Sequence, residues 1–236
     1  MKADLLRLLA AEPERAAILL DVDGTLSPIV DRPDDARVPE ETKGELARLA
    51  GRYALVACVS GRPRHEVERM IGIADIAIVG EHGLELEPGA AEWVDRIEEF
   101  ARGVDWPAER KPLSVSFHFR RAEDEAAARA YLTRVAEAAA AEGLVPRWGR
   151  MVLEVRPPVD AHKGTAVRAL VAGAGVRRAL YAGDDRTDID AFAGLDGLEL
   201  GVRVAVDSRE APAELREAAD LVVDGPEGVL ELLRAL

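Results

Sequence analysis

The stretch Ala17–Ser27, AILLDVDGTLS, decides how the chain reads. A short apolar run ends at Leu20 and gives way to two carboxylates one residue apart, then to Gly24 and Thr25. An apolar run of that length, bounded by turn residues, reads as a buried strand. Strand side chains alternate with period two, so Asp21 and Asp23 at its end can face one crevice. Carboxylates held that close repel each other, and a divalent cation is the natural compensation. One of them can then attack phosphorus while the other handles a proton. An ordinary strand-to-turn junction is also rich in Asp, Gly and Thr, so the surrounding chain has to separate the two readings.

Outward from this stretch, strands and helices alternate. Pro39 opens a helix through Ala50, with Glu40 and Glu41 in its first turn. The apolar run Tyr53–Val59 ends at Ser60-Gly61-Arg62, and Pro63 starts a helix to Ile71. Ile76–Val79 reads as a third strand, ending at Glu81-His82-Gly83. Polar residues gather at the C-terminal ends of the strands, as in a doubly wound parallel sheet, where ligands bind at those ends. From Pro88 the pattern turns irregular. Leu113–Arg120 then alternates, with Leu113, Val115, Phe117 and Phe119 on one face and Ser114, Ser116, His118 and Arg120 on the other. That alternation predicts a half-buried strand of an antiparallel sheet with one exposed face. An Ala-rich helix follows over Ala122–Glu142, and a strand over Val152–Arg156 puts Arg150, Glu154 and Arg156 on one face. After Pro158 the first pattern resumes. Lys163-Gly164 opens a helix, and Ala179–Ala182 is a strand ending in Gly183-Asp184-Asp185-Arg186-Thr187-Asp188. Leu198–Val206 and Leu221–Val223 are further strands, and Glu227–Leu236 a closing helix. The reading is an α/β core, a doubly wound parallel sheet of Rossmann-like type over 1–87 and 159–236. A small inserted α+β domain covers 88–158.

Composition narrows the function classes. The 236 residues are 48% hydrophobic and 32% charged, the balance of a globular protein rather than a disordered one. A formal net charge of -13 argues against a nucleic-acid backbone as partner, because such partners select basic surfaces. The single cysteine, Cys58, lies in an apolar run and is expected to pack in the core. The opening MKADLLRLLAAEPER reads as a short amphipathic helix, without the long apolar stretch of a signal peptide or a membrane span. The expected location is cytoplasmic.

Four polar signals stand at strand ends or helix starts of the alternating sheet: Asp21/Asp23, Ser60, Lys163 and Asp184/Asp188. Each alone is common. In this order they supply a nucleophile, metal ligands, a proton donor and positive groups for phosphoryl oxygens. No Cys/His set suits zinc.

DVDGT at Asp21–Thr25, Ser60, Lys163 and GDDRTD at Gly183–Asp188 together resemble the haloacid dehalogenase (HAD) superfamily of phosphatases. The long stretch between Ser60 and Lys163 matches the branch whose cap domain lies there. Within it the chain is similar to the trehalose-6-phosphate phosphatase family, on Ser60-Gly61-Arg62, Gly80-Glu81-His82-Gly83, KPLSVSFHFR at Lys111–Arg120 and GRMVLEVRP at Gly149–Pro157. The resemblance implies Asp21 as nucleophile, forming an aspartyl-phosphate, and Asp23 as acid and then base. It implies Mg2+ held by Asp184, the Asp21 carboxylate and the Asp23 backbone carbonyl, with Asp185 and Asp188 ordering metal-bound water, and Ser60 and Lys163 on the phosphoryl group. Gly24, Thr25, Gly61, Arg62, Glu81 and His82 would line the substrate site. In the cap, Lys111, Ser114, His118, Arg120, Arg150 and Glu154 would meet the sugar, whose hydroxyls need both donors and acceptors.

The implied reaction is hydrolysis of trehalose 6-phosphate, a small-molecule substrate, with a functional link to a separate trehalose-phosphate synthase. Neither nucleic acid nor membrane enters it, and oligomeric state stays open. The chain departs from the family pattern at Ile189, where an acid often follows, and at Arg150 and Met151, where lysines are common. The rival readings are a capped HAD phosphatase for sucrose phosphate or mannosyl-phosphoglycerate, and a non-catalytic sugar-phosphate-binding module.

Overall fold

The computed structural model describes residues 2–30, 32–149, 151–208 and 211–236. The chain divides into two compact units, Met1–Gly83 with Ala161–Leu236, and Leu84–Asp160.

In chain order the first unit opens with α1 (Lys2–Ala10), β1 (Ala16–Leu20), α2 (Glu40–Ala50), β2 (Leu55–Val59), α3 (Arg64–Ile71) and β3 (Ala77–Val79). The second unit contains α4 (Val94–Arg102), β4 (Glu109–Arg110), β5 (Val115–His118), α5 (Glu125–Ala141), β6 (Val145–Gly149) and β7 (Val152–Arg156). The chain then completes the first unit with α6 (Lys163–Ala174), β8 (Arg178–Gly183), α7 (Thr187–Ala193), β9 (Leu200–Asp207), α8 (Ala213–Glu217), β10 (Leu221–Asp224) and α9 (Gly225–Arg234).

The first unit is a six-stranded sheet in the order β10-β9-β8-β1-β2-β3, and each pairing is parallel. Period-two alternation sorts its side chains onto two cores. Ile18, Leu20, Val56 and Cys58 pack with Leu9 of α1, Leu46 and Leu49 of α2, Val67 of α3 and Leu232 of α9. Ala17, Leu19, Ala57 and Val59 pack with Val167 of α6, Phe192 of α7 and Leu215 of α8. A sheet covered on both faces explains why β1 is an unbroken apolar run, buried along its length. Cys58 is fully buried in the first of these cores, and burial pushes its thiol up to about 12. Strand order reverses at β1 and β8. A doubly wound sheet binds ligands at that switch point, beyond the carboxyl ends of the strands.

The second unit carries an antiparallel sheet, β4-β5-β7-β6, with Val115, Phe117, Leu153 and Val155 packed with Leu132 and Val135 of α5. It is more regular than its sequence suggests. The region after Pro88, read as irregular, includes α4, and the edge strands β4 and β6 add to the two expected strands. β6 was hidden by Pro146 and Gly149 and by its exposure, which leaves no apolar alternation. The Ala-rich helix starts later than Ala122, because the Asp124 side chain accepts from the Ala127 N–H at 2.9 Å and caps it. No helix among the described residues is long and apolar enough to cross a membrane.

Candidate active site

The site residues of the first unit sit just past strand ends. Asp21 follows β1, Ser60 follows β2, Glu81 and His82 follow β3, Asp184 follows β8, and Lys163 opens α6. Asp21 remains tied to the sheet, its N–H donating to the Ala182 carbonyl at 2.9 Å. The chain then turns tightly, with Leu26 and Ser27 N–H groups donating to the Val22 carbonyl and Gly24 N–H to the Ser27 carbonyl. Gly24 has φ +83, and a Cβ there would lie 2.0 Å from Asp184 Oδ2, so this turn accepts only glycine. Thr25 Oγ1 is buried and has no hydrogen-bond partner among the described residues.

Lys163 joins the two sides of the switch point. Its Nζ lies 2.6 Å from Asp21 Oδ1 and 2.7 Å from Asp188 Oδ1, and all three residues are buried. Tyr181 OH donates to the same Asp188 oxygen at 2.7 Å, while Asp188 Oδ2 accepts from the Asp185 N–H at 2.9 Å. Tyr181 was missed by the sequence reading. Its signal was a lone hydroxyl in the apolar run of β8, two residues before Gly183. The capping residue of α6 is His162, whose Nδ1 accepts from the Gly164 N–H at 3.1 Å.

Oxygens of Asp21, Asp184 and Asp188 lie within 4.8 Å of one another and can hold a metal ion. The electrostatics show an excess of negative charge. Burial, opposed by Lys163 and reinforced by Asp188, pushes the Asp21 carboxyl up to about 7. Burial together with Asp21 and Asp188 pushes Asp184 up to about 9. Burial disfavours the charge on Lys163, yet Asp188 and Asp21 outweigh it and raise the pKa of the ammonium. Burial and the neighbouring carboxylates raise Tyr181 well above the ordinary phenol range, so its hydroxyl is a donor. One lysine does not neutralise three carboxylates, and an all-oxygen donor set suits a hard divalent cation.

Asp23 and Asp185 stand apart from that triad. Both oxygens of Asp23 are taken by Arg62, Nε to Oδ2 at 2.7 Å and Nη2 to Oδ1 at 2.8 Å. Asp185 Oδ1 accepts from the Arg186 N–H at 2.7 Å. Ser60 Oγ accepts from the Arg62 N–H at 3.1 Å, and the Ser60 carbonyl from the His82 N–H at 2.8 Å. Glu81 is buried and donates its N–H to the Arg62 carbonyl at 2.9 Å. A Cβ at Gly61 would lie 2.5 Å from the His82 ring, so the loops after β2 and β3 are closely fitted.

In the second unit, Lys111 Nζ and Ser114 Oγ each lie 3.2 Å from Glu154 Oε1, and Arg156 Nε lies 3.8 Å from Glu154 Oε2. The expected solvated face is only partly so. Ser114, Ser116, Glu154 and Arg156 are buried, because the acid is enclosed with its partners. His118 and Arg120 are exposed, and His118 Nε2 pairs instead with Glu109 Oε2 at 2.5 Å. Arg150 lies outside the described residues.

The family profile described as Trehalose-phosphatase matches residues 19–106 and 106–226, from β1 into α9. The chain belongs to the trehalose-phosphatase family. Its fold is similar to that of a haloacid dehalogenase-like hydrolase from Bacteroides thetaiotaomicron, with a TM-score of 0.62 at 16% identity over 93% of this chain and 98% of the other. Among trehalose-phosphatase relatives, the chain is 31% identical over 265 residues to trehalose 6-phosphate phosphatase RA3 of Zea mays, covering 97% of this chain and 72% of that protein. It is 32% identical over 250 residues to a trehalose-phosphate phosphatase of Mycobacterium avium, covering 93% of this chain but 61% of that one. A crystal structure of a trehalose-6-phosphate phosphatase related protein aligns with a TM-score of 0.73 at 26% identity, over 92% of this chain and 95% of the other.

Proposed function

We propose that this protein hydrolyses trehalose 6-phosphate to trehalose and phosphate, through a phosphorylated Asp21, with Mg2+ as cofactor. The observation that carries the reading is the group of buried Lys163, Asp21 and Asp188 with partly buried Asp184 at the β1/β8 switch point. A carboxylate that attacks an anionic phosphate is repelled by it, and Lys163 beside Asp21 offsets that repulsion. Asp21, Asp184 and Asp188 would hold Mg2+, which supplies charge stabilisation to the phosphoryl oxygens. Asp21 attacks phosphorus and the sugar oxygen leaves, taking a proton from Asp23. Water then attacks the aspartyl-phosphate, giving its proton to Asp23 and returning Asp21. Ser60 binds the transferred group. Tyr181 and Lys163 hold Asp188 in place.

Family membership supports the sugar. We assign recognition of its hydroxyls to Lys111, Ser114 and Glu154, which offer donors and an acceptor in one place. The test is phosphate release from trehalose 6-phosphate, glucose 6-phosphate and sucrose 6-phosphate, with Mg2+ and with chelator. Preference for the trehalose ester, lost on chelation, supports the whole reading. Release without preference removes the sugar assignment, and release that survives chelation removes the metal.

A further inference from the structure

Arg62 is built into its loop more firmly than a surface arginine beside a substrate would need to be. Its N–H donates to Ser60 Oγ and its carbonyl accepts from the Glu81 N–H, so its backbone is pinned on both sides. Its guanidinium is mostly buried and lies against Asp23 in a two-point fork, Nε to one carboxylate oxygen and Nη2 to the other. Glu66 of α3 takes the remaining edge, with its Oε2 3.3 Å from Nη1. Burial opposes the charge on this arginine, and Asp23 and then Glu66 more than restore it. A planar fork fixes a carboxylate in direction as well as in distance, which a lysine ammonium does not do. Asp23 is partly exposed and belongs to a turn whose own hydrogen bonds involve only its neighbours' backbone. Among the described contacts, Arg62 is what orients its side chain.

We propose that Arg62 is a positioning residue for Asp23, holding that carboxylate at the angle from which it serves the departing oxygen, rather than a contact to the sugar or the phosphate. The inference rests on the reading of Asp23 given above. Its consequence is a dependence on the leaving group. A sugar oxygen needs a proton as it departs, whereas p-nitrophenolate departs without one, so misplacing Asp23 slows alcohol release only for the first, while the later attack of water needs Asp23 with either ester.

The experiment measures the single-turnover rate of alcohol release from trehalose 6-phosphate and from p-nitrophenyl phosphate, for the intact protein, Asp23→Asn, Arg62→Gln and Arg62→Lys. Asp23→Asn sets the scale, about a hundredfold or more on the sugar ester. Arg62→Gln is expected to slow the sugar ester by about tenfold to a hundredfold, to slow the nitrophenyl ester less than about threefold, and to leave KM within about threefold. Arg62→Lys is expected to fall between Arg62→Gln and the intact protein. Equal slowing of both esters by Arg62→Gln overturns the proposal in favour of a structural role. A raised KM with an unchanged rate overturns it in favour of a substrate contact. If Asp23→Asn itself slows both esters alike, the role of Asp23 fails and the proposal with it. If Asp23→Asn discriminates and Arg62→Gln does not, the proposal alone fails.

Discussion

Both units place a lysine against buried acid, and they do so with opposite balance. In the first, Lys163 faces Asp21 and Asp188, with Asp184 close by, and two of these carboxyls are driven up to about 7 and about 9. In the second, Glu154 has Lys111, Ser114 and Arg156 around it. The first group holds more negative charge than its own residues compensate, so it is prepared for a cation. The second has its acid already partnered and can present donors and an acceptor to a neutral ligand. The same pairing of residue types thus stands in two settings, three carboxylates about one lysine in the first and Glu154 between Lys111 and Arg156 in the second.

Asp21→Asn is the strongest way to break that contrast. Turnover of any phosphate ester should drop by about 10^4-fold or more, the scale of losing a nucleophile. The cation-free melting temperature should not fall, because the change relieves excess charge. Persistent phosphate release would remove Asp21 from its role.

The excess charge should also appear as a pH dependence. An acid whose pKa is raised on folding binds more protons folded than unfolded above its ordinary value of 3.8. Stability then falls as pH climbs towards about 7 for Asp21 and about 9 for Asp184. In chelator, the melting temperature should decline from about pH 5 to about pH 9. Saturating Mg2+ should raise it by several degrees at the alkaline end, as binding to the folded state alone requires. Asp184→Asn should remove the upper part of the decline. A flat profile in chelator would show that the acids are balanced after all.

Smaller changes sharpen the other half. Glu154→Gln should raise KM for trehalose 6-phosphate about tenfold while leaving p-nitrophenyl phosphate unaffected, which is the loss of about one hydrogen bond to a charged group. An equal effect on both esters would take Glu154 out of sugar recognition. Tyr181→Phe should cost about 1 kcal/mol in urea denaturation, since Asp188 keeps Lys163 and the Asp185 N–H. A larger loss would mean that the hydroxyl supports the whole acidic group.

The chain order of Asp21, Ser60, Lys163 and Asp184 was readable because each lies where an apolar run stops or a helix starts, and those are local signals. What could not be read was which side chain meets which. Asp23 stands near enough to Asp21, two positions away, for its charge to act on it, and its carboxylate is held by Arg62 on the next strand's loop, a contact no local spacing shows. Tyr181 points at Asp188 only because α7 turns back after β8. In the second unit the pattern failed where strands run at an exposed edge, as in β6, since a strand without a buried face writes no alternation. His118 shared its face with Ser116 by periodicity, yet Glu109 on the neighbouring β4 claimed it.

The central strand has a near neighbour and a distant one. β1 meets β2 early, with Ala17 opposite Leu55, but meets β8 only with Ala17 opposite Ala179, after the second unit has been synthesised. A ribosome adding roughly 5–20 residues per second leaves that edge of β1 open for on the order of ten seconds. An apolar strand edge is a template for wrong pairings. The strand pairings of the second unit all fall between Glu109 and Arg156, and can close while the first unit waits. The length of the insertion thus acts as a delay written into the gene, and slower translation between β3 and β8 would lengthen the exposure of the nascent core.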